Sequence, residues 1–274
     1  ETVLQALIAL EAKGCAEAVL TGVNITQYRD TERGMDLGGL LEYLLAGTKT
    51  IAIRLSSLEP EGITEDFARI VSQKRIRPHF HLSIQSASDE ILKKMGRPYG
   101  KAALESAVAL LRGAKTDPFL ACDIITGFPG ENKCEFEKTH HFCQKTGFAW
   151  IHAFPYSPRP GTAALSLGGN VSEGEAGERV AVLLDLARRG RREYAERWLG
   201  TEIEAVIEGK GEKKPGFCRG VSDNYLRLCI NLPAGSEAPP AGTALRCRIT
   251  GKPDEACPNA GAEIDGIAEP AGVC

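Results

Sequence analysis

Five short segments of the chain carry glycines and polar residues of the kind that hold a small polar ligand. They are TGVN (21–24), RLSSLEP (54–60), QSAS (85–88), TGFPGE (126–131) and FPYSPRPGT (154–162). Gly22 and Gly127 would let the backbone approach a flat ligand closely, because glycine has no side chain. Asn24, Ser56 and Gln85 could hydrogen-bond hydroxyl, amine or carboxylate groups. One such segment is common in ordinary turns, but five in succession predict a ligand site.

Each of these segments follows a predicted strand, and helices are predicted between the strands. The strand centres fall near residues 21, 53, 82, 123 and 152, a rhythm that predicts an α/β fold with a parallel sheet and outer helices. The carboxyl ends of parallel strands meet at one edge, so the five segments should surround one site. Five strands are too few for a closed eight-stranded barrel, and the first element is a helix. We therefore expect a partial (β/α) barrel of the TIM type without its first strand.

The last third of the chain changes character. A helix is predicted from about 172 to 199, and the segments TEIEAVIEG, GFCRGVSDNYLRLCINL and TALRCRITGK then alternate apolar and polar residues. This alternation predicts a small antiparallel β-barrel of the oligonucleotide-binding kind. We expect a first domain over 1–198, a β domain over 199–256 and a flexible tail over 257–274.

Composition narrows the possible environment and partners. The chain has 274 residues, a net charge of −3 and nine cysteines. No apolar run approaches the roughly 20 residues of a membrane span, and the first residues do not resemble a signal peptide. An odd cysteine count predicts reduced thiols and a cytoplasmic location. The cysteines show no C-x-x-C spacing, so no metal site is predicted.

The strand-end segments LTGVNI, IRLSSLEP, HLSIQSASDEILKKMGRPY, DIITGFPGE and HAFPYSPRPGT resemble a known family in order and spacing. It is the radical S-adenosylmethionine (radical SAM) domain of the methylthiotransferases, and the resemblance covers about residues 1–198. The β domain resembles the RNA-binding TRAM domain that ends these proteins. TGVNI with RLSSLEP resembles the branch that modifies N6-threonylcarbamoyladenosine beside the tRNA anticodon. The resemblance implies methylthiolation at C2 of that nucleoside, S-adenosylmethionine and [4Fe-4S] clusters as cofactors, and tRNA as partner, with neither membrane nor DNA involved.

The resemblance also implies roles for individual residues in binding S-adenosylmethionine. Gly22 and Asn24 match the motif that holds the methionine amino end, and Gln85 matches the strand end that meets the ribose. Gly127, which follows Asp123 on the same strand, matches the segment that packs on adenine. Asp123 could instead make a structural hydrogen bond inside the barrel.

Two further charged residues are expected at the same mouth. Glu59 and Arg97 could bind the methionine carboxylate or the substrate. As alternatives, Glu59 could cap the helical turn after Pro60, and Arg97 could be a solvated loop cation. The catalytic residues cannot be assigned from the sequence.

The chain departs from the family in one respect. The family holds its cluster with C-x-x-x-C-x-x-C, and no such motif is present; the family's N-terminal domain, with its own three cysteines, is not present either. We therefore expect a fragment that is inactive alone and poorly soluble, because a strand edge around 19–23 would be unpaired. Two alternatives stay open: a methylthiotransferase acting on an aspartate of a ribosomal protein, and a non-catalytic RNA-binding protein.

Two basic surfaces are predicted to contact RNA phosphates. The first, on the helix before the β domain, comprises Arg188, Arg189, Arg191 and Arg192, and the second comprises Lys213, Lys214, Arg219 and Tyr225. Tyr225 could stack on a base, although such a tyrosine could equally pack inside the protein. The arginines could equally form a solvated helix face.

Overall fold

The computed structural model describes residues 1–208, 216–252 and 264–271. Its helices are α1 (Thr2–Ala12), α2 (Leu37–Gly47), α3 (Glu65–Val71), α4 (Asp89–Lys94), α5 (Lys101–Ala114), α6 (Lys133–Thr146) and α7 (Glu173–Arg197). Its strands are β1 (Glu17–Leu20), β2 (Arg29–Asp30), β3 (Met35–Asp36), β4 (Ala52–Leu55), β5 (Ser57–Leu58), β6 (His79–Gln85), β7 (Phe119–Thr126), β8 (Trp150–Pro155), β9 (Glu202–Ile207), β10 (Phe217–Ser222), β11 (Arg227–Asn231), β12 (Ala244–Gly251) and β13 (Gly266–Pro270). None of the described helices is both long enough and apolar enough to cross a membrane.

The N-terminal strands form a parallel array with five positions. β1 pairs with β4, and β5, β6, β7 and β8 pair in that order, all in parallel. β4 and β5 are separated only by Ser56 and share one position. Among the described residues, β1 has a paired strand on one side only. The predicted five-stranded partial barrel is confirmed, although β1 ends at Leu20 rather than near Val23.

Side-chain caps fix where several helices begin. Asp36 accepts a hydrogen bond from the Gly39 amide at 2.9 Å, and Thr64 accepts one from the Phe67 amide at 3.1 Å. Ser172 caps α7 in the same way. Each cap satisfies an amide that the first helical turn leaves unpaired.

The helices pack on the outer face of the sheet and enclose the first hydrophobic core. Leu41 and Leu44 of α2, Ile53 of β4, Ile124 of β7 and Leu183 of α7 are completely buried there. Because side chains alternate along each strand, the intervening residues point to the concave face. That face is available for a site.

The C-terminal strands close into a barrel in the order β10, β11, β13, β12, β9. All neighbours are antiparallel except β11 and β13, which are parallel. The predicted small barrel is thus confirmed with this one difference. The predicted boundary at 198 lies between the end of α7 and the start of β9.

The expected flexible tail over 257–274 needs correction. Gly266–Pro270 forms β13, which pairs with both β11 and β12 and so closes the barrel. The prediction failed because this short strand has too few residues for its alternation to stand out. The residues at 257–263 and 272–274 lie outside the described part of the chain.

The barrel docks against the amino ends of the parallel strands. Arg54 of β4 donates hydrogen bonds to the carbonyl oxygens of Ser222 and Asp223 at 3.0 and 3.2 Å. Arg77 pairs with Glu204 of β9 at 2.7 Å. The second hydrophobic core runs from the barrel onto Phe119 at the start of β7.

Candidate active site on the concave face of the sheet

Three side chains meet on the concave face in the middle of β6, β7 and β8. His81 Nε2 lies 2.8 Å from Asp123 Oδ1, and the ring centroids of His81 and His152 are 5.1 Å apart. Phe154 continues the row: its ring lies nearly parallel to that of His152, and the side chain is 51% exposed. Asp123 therefore makes a structural hydrogen bond to His81, which was the alternative to a contact with S-adenosylmethionine.

His81 and His152 are site residues that the sequence pattern does not predict. The alternation of apolar and polar residues along β7 and β8 indicates which way these side chains point. Ile124 and Ile151 are completely buried among the helices. Their neighbours Asp123 and His152 therefore face the opposite side of the sheet.

Two buried polar atoms lie at the carboxyl rim of the sheet. Asn24 Oδ1 and Ser56 Oγ have no hydrogen-bond partner within the described residues. Leaving such an atom unsatisfied costs roughly 1–3 kcal/mol, so the pair fits a site that a polar ligand completes. A Cβ at Gly22 would lie 2.9 Å from Ile25 Cγ2, so the glycine permits the tight turn that leads to Asn24.

Gln85 ends β6 in an unusual backbone conformation. Its φ is 67°, in the left-handed region that residues other than glycine seldom adopt. The pairing of β6 with β7 also becomes irregular between Leu82 and Gln85. Backbone strain of this kind clusters at functional sites, which supports the predicted position of Gln85 at the rim.

Glu59 and Arg97 face each other beside this rim. Arg97 Nη1 lies 3.2 Å from Glu59 Oε2, so Arg97 is an ion-pair partner rather than a solvated loop cation. Glu59 precedes the turn at Pro60–Gly62, but its side chain makes no capping hydrogen bond. Burial raises the pKa of Glu59, and Arg97 opposes that shift. A ligand carboxylate could compete with Glu59 for the Arg97 guanidinium.

The loop after β7 is held by buried charges. Gly127 has a φ of +73°, and its amide donates to Glu131 Oε2 at 2.6 Å. Glu131 in turn pairs with Arg179 of α7 at 2.6 Å, and both side chains are almost fully buried. A Cβ at Gly127 would lie only 2.6 Å from the Cβ of Ala176. Packing against α7 thus requires glycine here, and the contact with adenine stays a prediction.

The four arginines predicted on α7 do not act alike. Arg188 and Arg189 are 64% and 52% exposed and lie within 3.8 and 3.2 Å of Asp185. Arg192 is also exposed. Arg191 instead binds Asp265 of the barrel at 2.9 Å and lies over the Trp150 ring. The prediction of RNA contact needs correction for Arg191, because that side chain joins α7 to the barrel.

Of the second predicted RNA surface, the structure describes Tyr225 and Arg219. The Tyr225 ring stacks on His79 at 3.9 Å between centroids, and the Arg54 guanidinium lies 5.2 Å from its centroid. Tyr225 therefore packs at the domain interface, as the alternative stated, and its ring is not free to stack on a base. Arg219 is half-buried on β10, and Lys213 and Lys214 lie outside the described residues.

The described residues do not fit an iron–sulfur cluster. Within residues 1–208, 216–252 and 264–271, no group of three or more Cys, His, Asp or Glu could hold a metal ion. Burial raises the pKa of the Cys122 thiol, which opposes the thiolate form that a cluster ligand requires. The carboxyl rim, with its unpartnered Asn24 and Ser56 oxygens, does fit a polar ligand.

Comparison with known proteins places these features in a family. The model of the radical SAM superfamily matches residues 1–143. The threonylcarbamoyladenosine tRNA methylthiotransferase MtaB of Treponema pallidum is 46% identical over 241 residues, which cover 88% of this chain and 48% of that protein. The tRNA-2-methylthio-N(6)-dimethylallyladenosine synthase of Anaplasma phagocytophilum is 30% identical over 240 residues, or 86% of this chain and 54% of that protein. The chain spans about half the length of the curated relatives it matches.

A solved structure shares the fold at low sequence identity. Coproporphyrinogen III oxidase (HemN) from Escherichia coli, a radical SAM enzyme, aligns with a TM-score of 0.50 and 14% identity over 64% of this chain and 40% of its own. The family model covers more than half of the 274 residues, and its match spans four of the five strand positions of the parallel array. The chain therefore belongs to the radical SAM superfamily.

Proposed function

We propose that this chain takes part in the methylthiolation of tRNA at N6-threonylcarbamoyladenosine and binds S-adenosylmethionine at the carboxyl rim of its sheet. The observation that carries the proposal is the position of the unpartnered Asn24 and Ser56 oxygens at the rim of a radical SAM sheet. The identity of 46% to a relative named for threonylcarbamoyladenosine, against 30% to one named for dimethylallyladenosine, favours the first substrate.

Different residues at the rim would bind different parts of the ligand. Asn24 and Ser56 would bind the amino-acid end of S-adenosylmethionine, Gln85 its ribose, and the loop at Gly127 its adenine. Arg97 would leave its ion pair with Glu59 and bind the methionine carboxylate instead. Bound S-adenosylmethionine would supply the radical chemistry for which the superfamily is named. Ligands for an iron–sulfur cluster are not among the described residues, so the roles given to this chain are binding and positioning.

The C-terminal barrel would serve as the RNA-binding module. It is a TRAM-like unit in this proposal, fixed to the amino ends of the strands by Arg54 and Arg77. The substrate RNA would then span the barrel, α7 and the rim, in a cytoplasmic protein that acts on tRNA.

Binding of S-adenosylmethionine tests the proposal directly. Equilibrium dialysis of the purified chain should show saturable binding, and Asn24→Ala should weaken it about tenfold, as expected when one good hydrogen bond of a bound ligand is removed. Asn231→Ala, which changes the same residue type in the barrel, is the matched control and should leave the affinity unchanged. Equal effects of the two substitutions would contradict a binding role for Asn24.

The substrate is tested separately. The chain should bind a tRNA that carries threonylcarbamoyladenosine more tightly than the same tRNA without that modification, as read by fluorescence anisotropy. Tighter binding of a ribosomal protein than of tRNA would favour the alternative enzyme. Binding of tRNA without any binding of S-adenosylmethionine would favour a non-catalytic RNA-binding protein.

A further inference from the structure

A cavity of about 510 Å³ lies between α7 and the barrel, away from the carboxyl rim. Its walls include Trp150 at the start of β8, Arg188 and Arg192 on α7, Leu199 after that helix, and Lys252 after β12. Cavities of roughly 300–1,000 Å³ are typical of small-ligand sites in proteins. The volume therefore suits a single nucleotide.

The charges around this cavity favour an anion. Lys252 pairs with Glu196 at 2.5 Å, and Arg191 pairs with Asp265 at 2.9 Å, so these four charges largely compensate one another. Arg192 adds positive charge to the same wall, as does Arg188, whose guanidinium lies 3.8 Å from Asp185. The chain as a whole carries −3, so this surface is locally cationic on an acidic protein.

The remaining wall is apolar and suits a flat ring. Trp150, Ala195 and Leu199 line it, and Leu199 is 37% exposed. Cationic and apolar side chains that line one cavity are the combination with which proteins hold a nucleotide: phosphates bind arginines, and bases pack on apolar or aromatic surfaces.

We propose that this cavity binds one nucleotide of the substrate tRNA, with its phosphate on Arg188 and Arg192 and its base against Leu199 and Trp150. The inference rests on the proposed function and adds a defined RNA site that is separate from the concave face. It makes α7 a positioning element, which fixes the RNA relative to the rim through the same helix that supports the loop at Gly127.

The chain offers a matched pair of substitutions to test this site. Arg192 lines the cavity, whereas Arg69 is an exposed arginine of α3 that pairs with Asp66 and Glu42. Arg192→Ala should weaken tRNA binding about tenfold, as one lost charge-assisted contact predicts. It should also reduce the slope of log affinity against log salt by about 1. Arg69→Ala should change neither quantity measurably. Leu199→Asp should weaken tRNA binding, because it places a negative charge where the base is proposed to pack.

Fluorescence anisotropy with labelled tRNA over a series of salt concentrations measures both quantities, with thermal unfolding as the check that each variant is folded. If the wild-type chain binds tRNA and Arg192→Ala matches Arg69→Ala, the cavity inference is overturned while the proposed function stands. If the wild-type chain does not bind tRNA, both fall. A free mononucleotide that binds the cavity as tightly as tRNA would overturn RNA as its occupant.

Discussion

Replacing Gly127 by alanine should destabilise the protein through two separable effects. The residue has a φ of +73°, and an added Cβ would lie 2.6 Å from the Cβ of Ala176. A side chain in the left-handed region costs about 1–2 kcal/mol. Forcing an extra carbon into a packed contact costs about 1–3 kcal/mol more. We therefore expect Gly127→Ala to lower the free energy of unfolding by roughly 2–5 kcal/mol.

Gly14 supplies the control for the backbone effect alone. Its φ is +78°, and an added Cβ would have no heavy atom within 4 Å. Gly14→Ala should therefore cost only about 1–2 kcal/mol. The difference between the two substitutions isolates the contact with α7.

Removing the opposing methyl group tests the cause of that difference. In the Ala176→Gly background, which itself costs about 1 kcal/mol in a helix, Gly127→Ala should lose most of its packing penalty. Equilibrium unfolding in urea gives the four free energies of this cycle, and the coupling should be about 1–3 kcal/mol. A cost of Gly127→Ala no larger than that of Gly14→Ala, or a cycle without coupling, would refute the packing argument.

Two further predictions concern charged groups. Arg179→Met should lower the free energy of unfolding by about 3–5 kcal/mol, because it leaves the buried Glu131 carboxylate without its partner. Adding Glu131→Gln should recover part of that loss in the same urea titrations. No recovery in the double variant would contradict the reasoning. Hydrogen bonds from the amides of Thr50 and Ile51 chiefly lower the pKa of Glu11 to about 2. The Glu11 carboxylate therefore stabilises the fold at pH values above the ordinary glutamate pKa. That stabilisation is lost as pH falls from about 4.5 towards 2. Glu11→Gln should therefore reduce the dependence of stability on pH in this window, and an unchanged acid-unfolding profile would count against the contact.

Much of the candidate site was predictable because it follows local rules. Gly22, Asn24, Gln85 and Gly127 were placed at strand ends by the alternation of strands and helices, and the carboxyl ends of parallel strands meet at one edge. The structure keeps each of them at or just beyond the carboxyl end of its strand. It also gives physical reasons that a one-dimensional pattern does not contain, such as the φ of 67° at Gln85.

The residues that were misjudged depend on contacts between distant parts of the chain. Tyr225 packs on His79, and Arg191 pairs with Asp265, because the barrel docks on the amino ends of the strands and on α7. The pairing of His81 with Asp123 depends on the register of β6 against β7. The spacing of residues within one segment of the sequence does not predict contacts with a distant segment.

The sequence by itself determined the five strand positions, the helices that cover them and the change to a β-barrel near residue 198. These features follow from hydrophobic periodicity and capping residues, which act over a few positions along the chain. Only the tertiary structure decided which polar groups face a ligand and which are used up inside the fold. The reason is that hydrogen bonding and burial of a side chain depend on what packs against it. Other elements bury Arg191 and Tyr225, whereas the Asn24 side-chain oxygen has no hydrogen-bond partner within the described residues.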